Sequence, residues 1–172
     1  MIDRPIRPLF PEDYFYDTQI VALLLSADLE NEPDTLGIIG ASAALYFSDI
    51  PFTTPIGAVK VGYVDNEFIL NPTVDQLEKS SLNMVVVGTE EGIVMIEAGA
   101  PEIEEEKIIE GVALAQKTIK QIIHAQKDLF SRLNIKKREF ILKEIDQVYF
   151  EKVEKEISAP LARAIVIKSK KE

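Results

Sequence analysis

The 172-residue chain contains no cysteine and no tryptophan, and it has a single histidine, His124. Without cysteine there are no disulfides, no thiolate nucleophile and no cysteine-ligated zinc. With one histidine, Ser-His-Asp chemistry is excluded unless His124 itself supplies it. There is no signal peptide and no apolar run long enough to span a bilayer, so the expected compartment is the cytoplasm and no membrane partner is expected. Phosphate-binding glycine loops of Walker or Rossmann spacing are absent, as are HExxH, CxxC and paired-carboxylate motifs. Basic residues are scarce in the first 101 positions, where Arg4, Arg7, Lys60 and Lys79 face sixteen acids. Residues 102–172 carry fifteen basic residues against thirteen acids, within a net charge of −10. An acidic surface repels phosphate backbones, so the first part alone is not a general nucleic-acid binder.

What the chain does have is a core. Hydrophobic residues make up 47% and charged ones 28%, which suits a globular protein. Residues 33–52 are its centre. From Leu36 to Phe47 nearly every residue is apolar or small, with no charge on any face. That pattern predicts a helix buried all round, ending near Asp49 because Pro51 excludes helical geometry at Ile50. Ahead of it, Pro5, Pro8 and Pro11 predict an extended, stiff opening segment. Residues 18–28 form an apolar run of strand length, expected as a central strand covered on both faces. Residues 58–64 and 67–70 read as strands joined by an Asp65-Asn66 hairpin turn. A second hairpin pairs residues 82–87 with 93–97. Strand, buried helix, then an antiparallel meander is an α+β order.

Beyond Pro101 the glutamates 102 and 104–106 crowd a helix start, where carboxylates complement the dipole. Ile108, Val112, Ala115, Ile119, Ile122, Leu129 and Leu133 keep a 4-3 spacing, with Gln126 as the polar exception. They predict one long amphipathic helix, with His124 off its stripe and solvated. Asn134 is a plausible stop, followed by the basic cluster Lys136-Lys137-Arg138. Residues 135–140 read as a linker, and short helices are expected over 146–157 and 160–168. The domains expected are therefore 1–134 and 135–172.

The residues alone stop at an α+β domain with a helical extension. A resemblance goes further. The stretch Ile2-Asp3-Arg4-Pro5-Ile6-Arg7-Pro8-Leu9-Phe10-Pro11 resembles the polynucleotide phosphorylases. So do Ile39-Gly40-Ala41-Ser42-Ala43-Ala44-Leu45, Ser48-Asp49-Ile50-Pro51-Phe52, Pro55-Ile56-Gly57-Ala58-Val59-Lys60-Val61-Gly62, Leu70-Asn71-Pro72-Thr73, Val87-Gly88-Thr89 and Glu97-Ala98-Gly99-Ala100. The likeness is to the C-terminal part of the first of that family's two RNase PH-like (ribosomal protein S5 domain 2-like) cores. Residues 139–172 resemble the opening of the all-helical domain between the cores, and the chain reads as part of something longer.

That resemblance implies a partial core with a mixed or antiparallel sheet, a buried helix and a long C-terminal helix. It implies a transferase, polyribonucleotide nucleotidyltransferase, acting as a phosphate-dependent 3′-to-5′ exoribonuclease in RNA degradation and mRNA catabolism. Magnesium and phosphate would serve the parent enzyme, a trimer acting on single-stranded RNA. This segment departs from an active core. Glu32-Pro33-Asp34 stands where active cores bind phosphate, and Asn71 and Leu77 stand where they carry metal-binding aspartates. No catalytic or metal-binding residue is therefore expected here, and no cofactor bound by this segment. Arg4 and Arg7 match the family's arginine motif, which implies contact with RNA or phosphate, or ion pairing with the second core. A stand-alone, non-catalytic scaffold or RNA-binding subunit is the alternative reading.

Overall fold

The computed structural model describes residues 1–133, 135–139 and 146–168. The chain divides into two compact units, Met1–Phe140 and Ile141–Glu172. In the first, helix α1 (Asp3–Ile6) and a 3-10 turn (Arg7–Leu9) precede helix α2 (Asp34–Phe47). Strands β1 (Gly57–Val64) and β2 (Glu67–Leu70), helix α3 (Val74–Glu78), strands β3 (Asn83–Gly88) and β4 (Ile93–Gly99) and the long helix α4 (Glu105–Ser131) follow. The sheet is antiparallel throughout, in the order β2-β1-β3-β4.

Alternation along β1 and β3 builds two cores on the two faces of this sheet. Ala58, Val85 and Val87 face α2, where they meet Ile38, Ala41, Leu45, Phe52 and Ile56. Val59, Val61, Met84 and Val86 face α4 and pack against Ala115, Ile119 and Ile123. Both strands are thus buried on both sides. Gly57 lets α4 come close to the sheet, since a Cβ there would lie 3.0 Å from the Ile119 carbonyl oxygen. The β1–β2 turn uses left-handed φ at Asp65 (50°) and Asn66 (64°), the chemistry of a two-residue hairpin.

Gln126, the polar exception in the α4 stripe, is buried. Its Nε2 donates to the Ile56 carbonyl at 2.8 Å, while its Oε1 accepts from Ser42 Oγ at 3.0 Å. Ser42 Oγ in turn accepts the Ile56 N–H at 2.9 Å. The ring joins α2, α4 and the chain entering β1, with its members satisfied.

Several expectations are corrected. The proline-rich opening is helical, because the fixed proline φ suits a helix and Pro5 and Pro8 lie in first turns, where no intrahelical acceptor is lost. Residues 18–28 form no strand. A strand needs a neighbour for its N–H and C=O groups, and the run pairs with neither sheet edge. It has no regular secondary structure, and Val21, Leu23 and Leu25 are exposed, Leu25 by 92%. Consequently α2 is not buried all round: Leu36, Gly40 and Ala44 stay exposed, and with residues 20–24 they line an open apolar groove of about 550 Å³. On α4 the buried positions are Gly111, Ala115, Ile119, Ile123 and Gln126, leaving Leu129 and Leu133 exposed. A straight helix follows a 3.6-residue period, so a strict 4-3 stripe drifts off the sheet over eight turns. The α3 helix was not anticipated; its capping box between Thr73 and Gln76 is the signal that marks it.

In the second unit, helix α5 (Gln147–Ala164) runs through Pro160 where two short helices were expected. A proline inside a helix forfeits one backbone bond, and here the flanking residues continue. Residues 140–145 and 169–172, which include part of the expected linker, and Asn134 lie outside the described residues.

Candidate functional site

The N-terminus of α2, where the resemblance led us to expect a departure from a phosphate site, is built from an ion cluster. The turn leading into it is shaped by Asp28. The Asp28 carboxylate accepts from the N–H groups of Asn31 (2.8 Å) and Glu30 (2.9 Å) and from Asn31 Nδ2 (2.6 Å). Led by the Asn31 bonds, these hold Asp28 down at about 2. Glu32 and Asp34 follow, on either side of the capping residue Pro33. Asp34 Oδ1 accepts the Thr35 N–H at 2.8 Å, so a carboxylate already occupies the positive end of the helix.

Lys60 completes the cluster. It lies in β1, and its side chain is only 7% exposed. Its Nζ contacts Asp34 Oδ2 at 2.7 Å and also pairs with Glu32. Burial pulls the Lys60 ammonium down, but the hydrogen bonds and charges of Asp34 and Glu32 outweigh it and hold it above the ordinary lysine value. Asn71 anchors the backbone beside it: Asn71 Oδ1 accepts the Lys60 N–H at 3.0 Å, and the Asn71 N–H donates to the Lys60 carbonyl at 2.7 Å. Asn71 takes φ 49°, a left-handed conformation asparagine tolerates. The hollow among Asn31, Thr35, Lys60 and Pro72 is about 30 Å³, and a second one of about 270 Å³, lined also by Asn83 and Glu97, borders Asp34 and Lys60.

Chemically the cluster is closed. Lys60 engages both carboxylates of the acidic stretch 32–34, which leaves the cluster with one net negative charge, so phosphate would meet repulsion and would also have to displace them. A lone lysine within the apolar Ala58-Val59-Lys60-Val61 run was the available signal, because a buried charge requires counterions. Magnesium requires hard oxygen ligands, usually carboxylates. Leu77 offers none and Asn71 Oδ1 is already engaged, so these residues do not fit a magnesium ion. Among the described residues, no group of three His, Cys, Asp or Glu side chains is arranged to hold a metal. None of their helices is long and apolar enough to cross a membrane.

Arg4 and Arg7 are not brought to this cluster by any bond. Arg7 Nε donates to Asp3 Oδ1 at 3.1 Å, and its Nη2 pairs with Oδ2 of the same carboxylate. Helical spacing puts Asp3 and Arg7 together at i, i+4, not Asp3 and Arg4. Arg4 is exposed and makes no ion pair among the described residues.

Comparison with known proteins fits this geometry. Residues 54–118 match the family described as 3′ exoribonuclease family, domain 2. The solved structure of rice Rrp46 aligns with 59% of this chain and 49% of its own, with a TM-score of 0.50 and 18% identity, a likeness of fold alone. The architecture is thus that of an RNase PH-like α+β protein. Polyribonucleotide nucleotidyltransferase of Acidobacterium capsulatum is 48% identical over 98% of the chain, and that of Koribacter versatilis 50% identical over 95%. The Akkermansia muciniphila enzyme of the same name is 53% identical over 73% of the chain. The chain belongs to the polyribonucleotide nucleotidyltransferase family. It spans about a fifth of the length of these relatives, 21%, 20% and 18% respectively.

Proposed function

We propose that this chain is a non-catalytic segment of a phosphorolytic 3′-to-5′ exoribonuclease, contributing ring structure and part of the RNA path. In that reaction an oxygen of inorganic phosphate attacks the terminal phosphodiester phosphorus in line. The 3′ oxygen of the shortened RNA leaves, and a nucleoside diphosphate is released. Magnesium and phosphate would act at a second RNase PH-like core, within a cytoplasmic homotrimer that degrades single-stranded RNA. The observation carrying this reading is the closed Lys60–Glu32–Asp34 cluster at the α2 N-terminus. Similarity over nearly the whole chain, residues past 135 included, supports a segment that continues into a helical domain over a free-standing scaffold.

The assay is incubation of the chain with phosphate, magnesium and labelled single-stranded RNA, its folding checked by circular dichroism in the same sample. No nucleoside diphosphate is expected; its release would overturn the reading. The same sample tests the two arginines. Arg4→Ala is expected to weaken low-salt RNA retention more than Arg7→Ala, whose guanidinium is already engaged by Asp3. Equal losses, or none, would assign the pair to contacts between cores.

The remainder of the core would cover the apolar segment 20–25 and the open side of α2. Left uncovered, that surface favours self-association. Leu23→Glu with Leu25→Glu is expected to raise the concentration at which the chain first aggregates, with its melting temperature unchanged. Light scattering and thermal unfolding check this; an unchanged threshold would mean the groove is not the sticky surface.

A further inference from the structure

Helix α2 ends without the usual devices. Its C-cap is Ser48 in extended geometry, not a left-handed glycine, and Pro51 follows. The last carbonyls of a helix lack intrahelical partners and carry the negative end of its dipole. The Leu45 carbonyl accepts the Ser48 N–H at 3.2 Å and Ser48 Oγ at 2.8 Å, and one distant side chain reaches it together with the carbonyls that follow. Lys137 Nζ lies 3.1, 2.8 and 3.0 Å from the carbonyl oxygens of Leu45, Tyr46 and Ser48. An ammonium has three donors, and all three are used. The same Nζ stands 5.6 and 5.8 Å from the ring centres of Tyr46 and Phe130, which pack together at 4.5 Å. Phe130 belongs to the last turn of α4, so the lysine also ties the ends of the two helices together.

The next residue repeats the attachment. The Arg138 N–H donates to the Asp49 carbonyl at 2.6 Å, and Arg138 Nε and Nη2 reach Asp49 Oδ2 at 3.0 and 2.6 Å. Burial pushes Lys137 below the ordinary lysine value, opposed by the Asp49 carboxylate, which marks the ammonium as held away from water. Two members of the basic cluster in the expected linker, Lys137 and Arg138, thus serve the C-terminal end of α2.

We infer that Lys137 is a positioning residue, a pin that straps residues 135–139 across the ends of α2 and α4 and so fixes where the chain leaves the first unit. The strap opens as a local event, independent of the sheet. It also carries Arg138 and Glu139 into the wall of a cleft of about 460 Å³ bordered by Tyr16, Asp49 and Pro51, so releasing the pin reshapes that cleft. Lysine is needed because its three donors converge on three carbonyls, whereas the flat arginine fork does not.

The test is limited trypsin digestion of the full chain, with hydrogen exchange followed in parallel. Trypsin reads the strap directly, since Lys136 and Arg138 remain as cleavage sites in every Lys137 variant. Lys137→Met is expected to raise cleavage at those sites by roughly tenfold or more, as the population of the open form rises. Exchange in β1 and β3 should stay as slow as in the parent. Lys137→Arg should cleave at an intermediate rate, and Asp49→Asn should raise cleavage by a smaller factor. Cleavage within about twofold of the parent in Lys137→Met would overturn the inference. Equal loss of protection in β1 and β3 would also overturn it, since Lys137 would then be a global stability residue and not a pin.

Discussion

Removing both partners of Lys60, by Glu32→Gln with Asp34→Asn, is expected to destabilise the first unit by about 3–5 kcal/mol, the cost of an ammonium left buried without a counter-ion. Lys60→Met is expected to cost less. Its side chain is only 7% exposed, but Glu32 and Asp34 are 40% and 26% exposed and sit at the favourable end of α2. The triple variant should recover most of the loss, because no unpaired charge remains. Urea unfolding of the four proteins forms a thermodynamic cycle. A triple variant as unstable as the double would show that the cluster is not the source of the effect.

The pH dependence separates the same variants. In the parent, Lys60 is held above its ordinary value of 10.5. Its contribution is fully present below that value and is lost only as pH rises through the folded value. Parental stability is therefore flat in this respect through about pH 9. In the double variant burial acts alone and pushes Lys60 down. The unfolded chain then binds more protons than the folded one, and stability rises with pH from the lowered folded value up to the ordinary 10.5. Parallel profiles would contradict the assignment.

Gln126→Leu is expected to cost about 2–4 kcal/mol, although it replaces a polar side chain in a buried stripe by an apolar one. The Ile56 carbonyl loses its 2.8 Å donor, and the Ser42 hydroxyl loses its acceptor. Each group stays buried without water, and that penalty exceeds the gain from a better hydrophobe. Adding Ser42→Ala to Gln126→Leu should not restore stability, since it leaves the Ile56 N–H without its 2.9 Å acceptor as well. The check is the urea midpoint; Gln126→Leu at parental stability would mean the ring contributes nothing.

Much of this molecule was legible in the chain. The Asp65-Asn66 turn, the two hairpins, the α2 stretch and the long α4 helix rest on neighbours a few residues apart, and each appears close to its expected bounds. The α+β class follows from their order. Less legible was anything that needed a face to meet another face. The run 18–28 has the composition of a central strand, yet composition cannot supply the strand beside it. The stripe on α4 was read at a period slightly too short, so its C-terminal leucines were assigned to a core they do not reach.

The site divides along the same line. That Asn71 and Leu77 offer no carboxylate could be read directly, and so could the acidic character of residues 32–34. That Lys60 pairs with both of those acids could not: 28 residues separate Lys60 from Glu32. Gln126 looked like a flaw in a stripe until Ser42, 84 residues away, met it, and Lys137 caps a helix that ends some 90 residues earlier. Turns, periodicity and caps are set by steric and hydrogen-bonding rules acting over a few residues, and these the sequence by itself determined. Which charge ends beside which carboxylate, and which amide closes which ring, was decided only in the tertiary structure. There the sheet brings α2 and α4 together through its two faces, and each buried polar group must find a partner among whatever lies opposite.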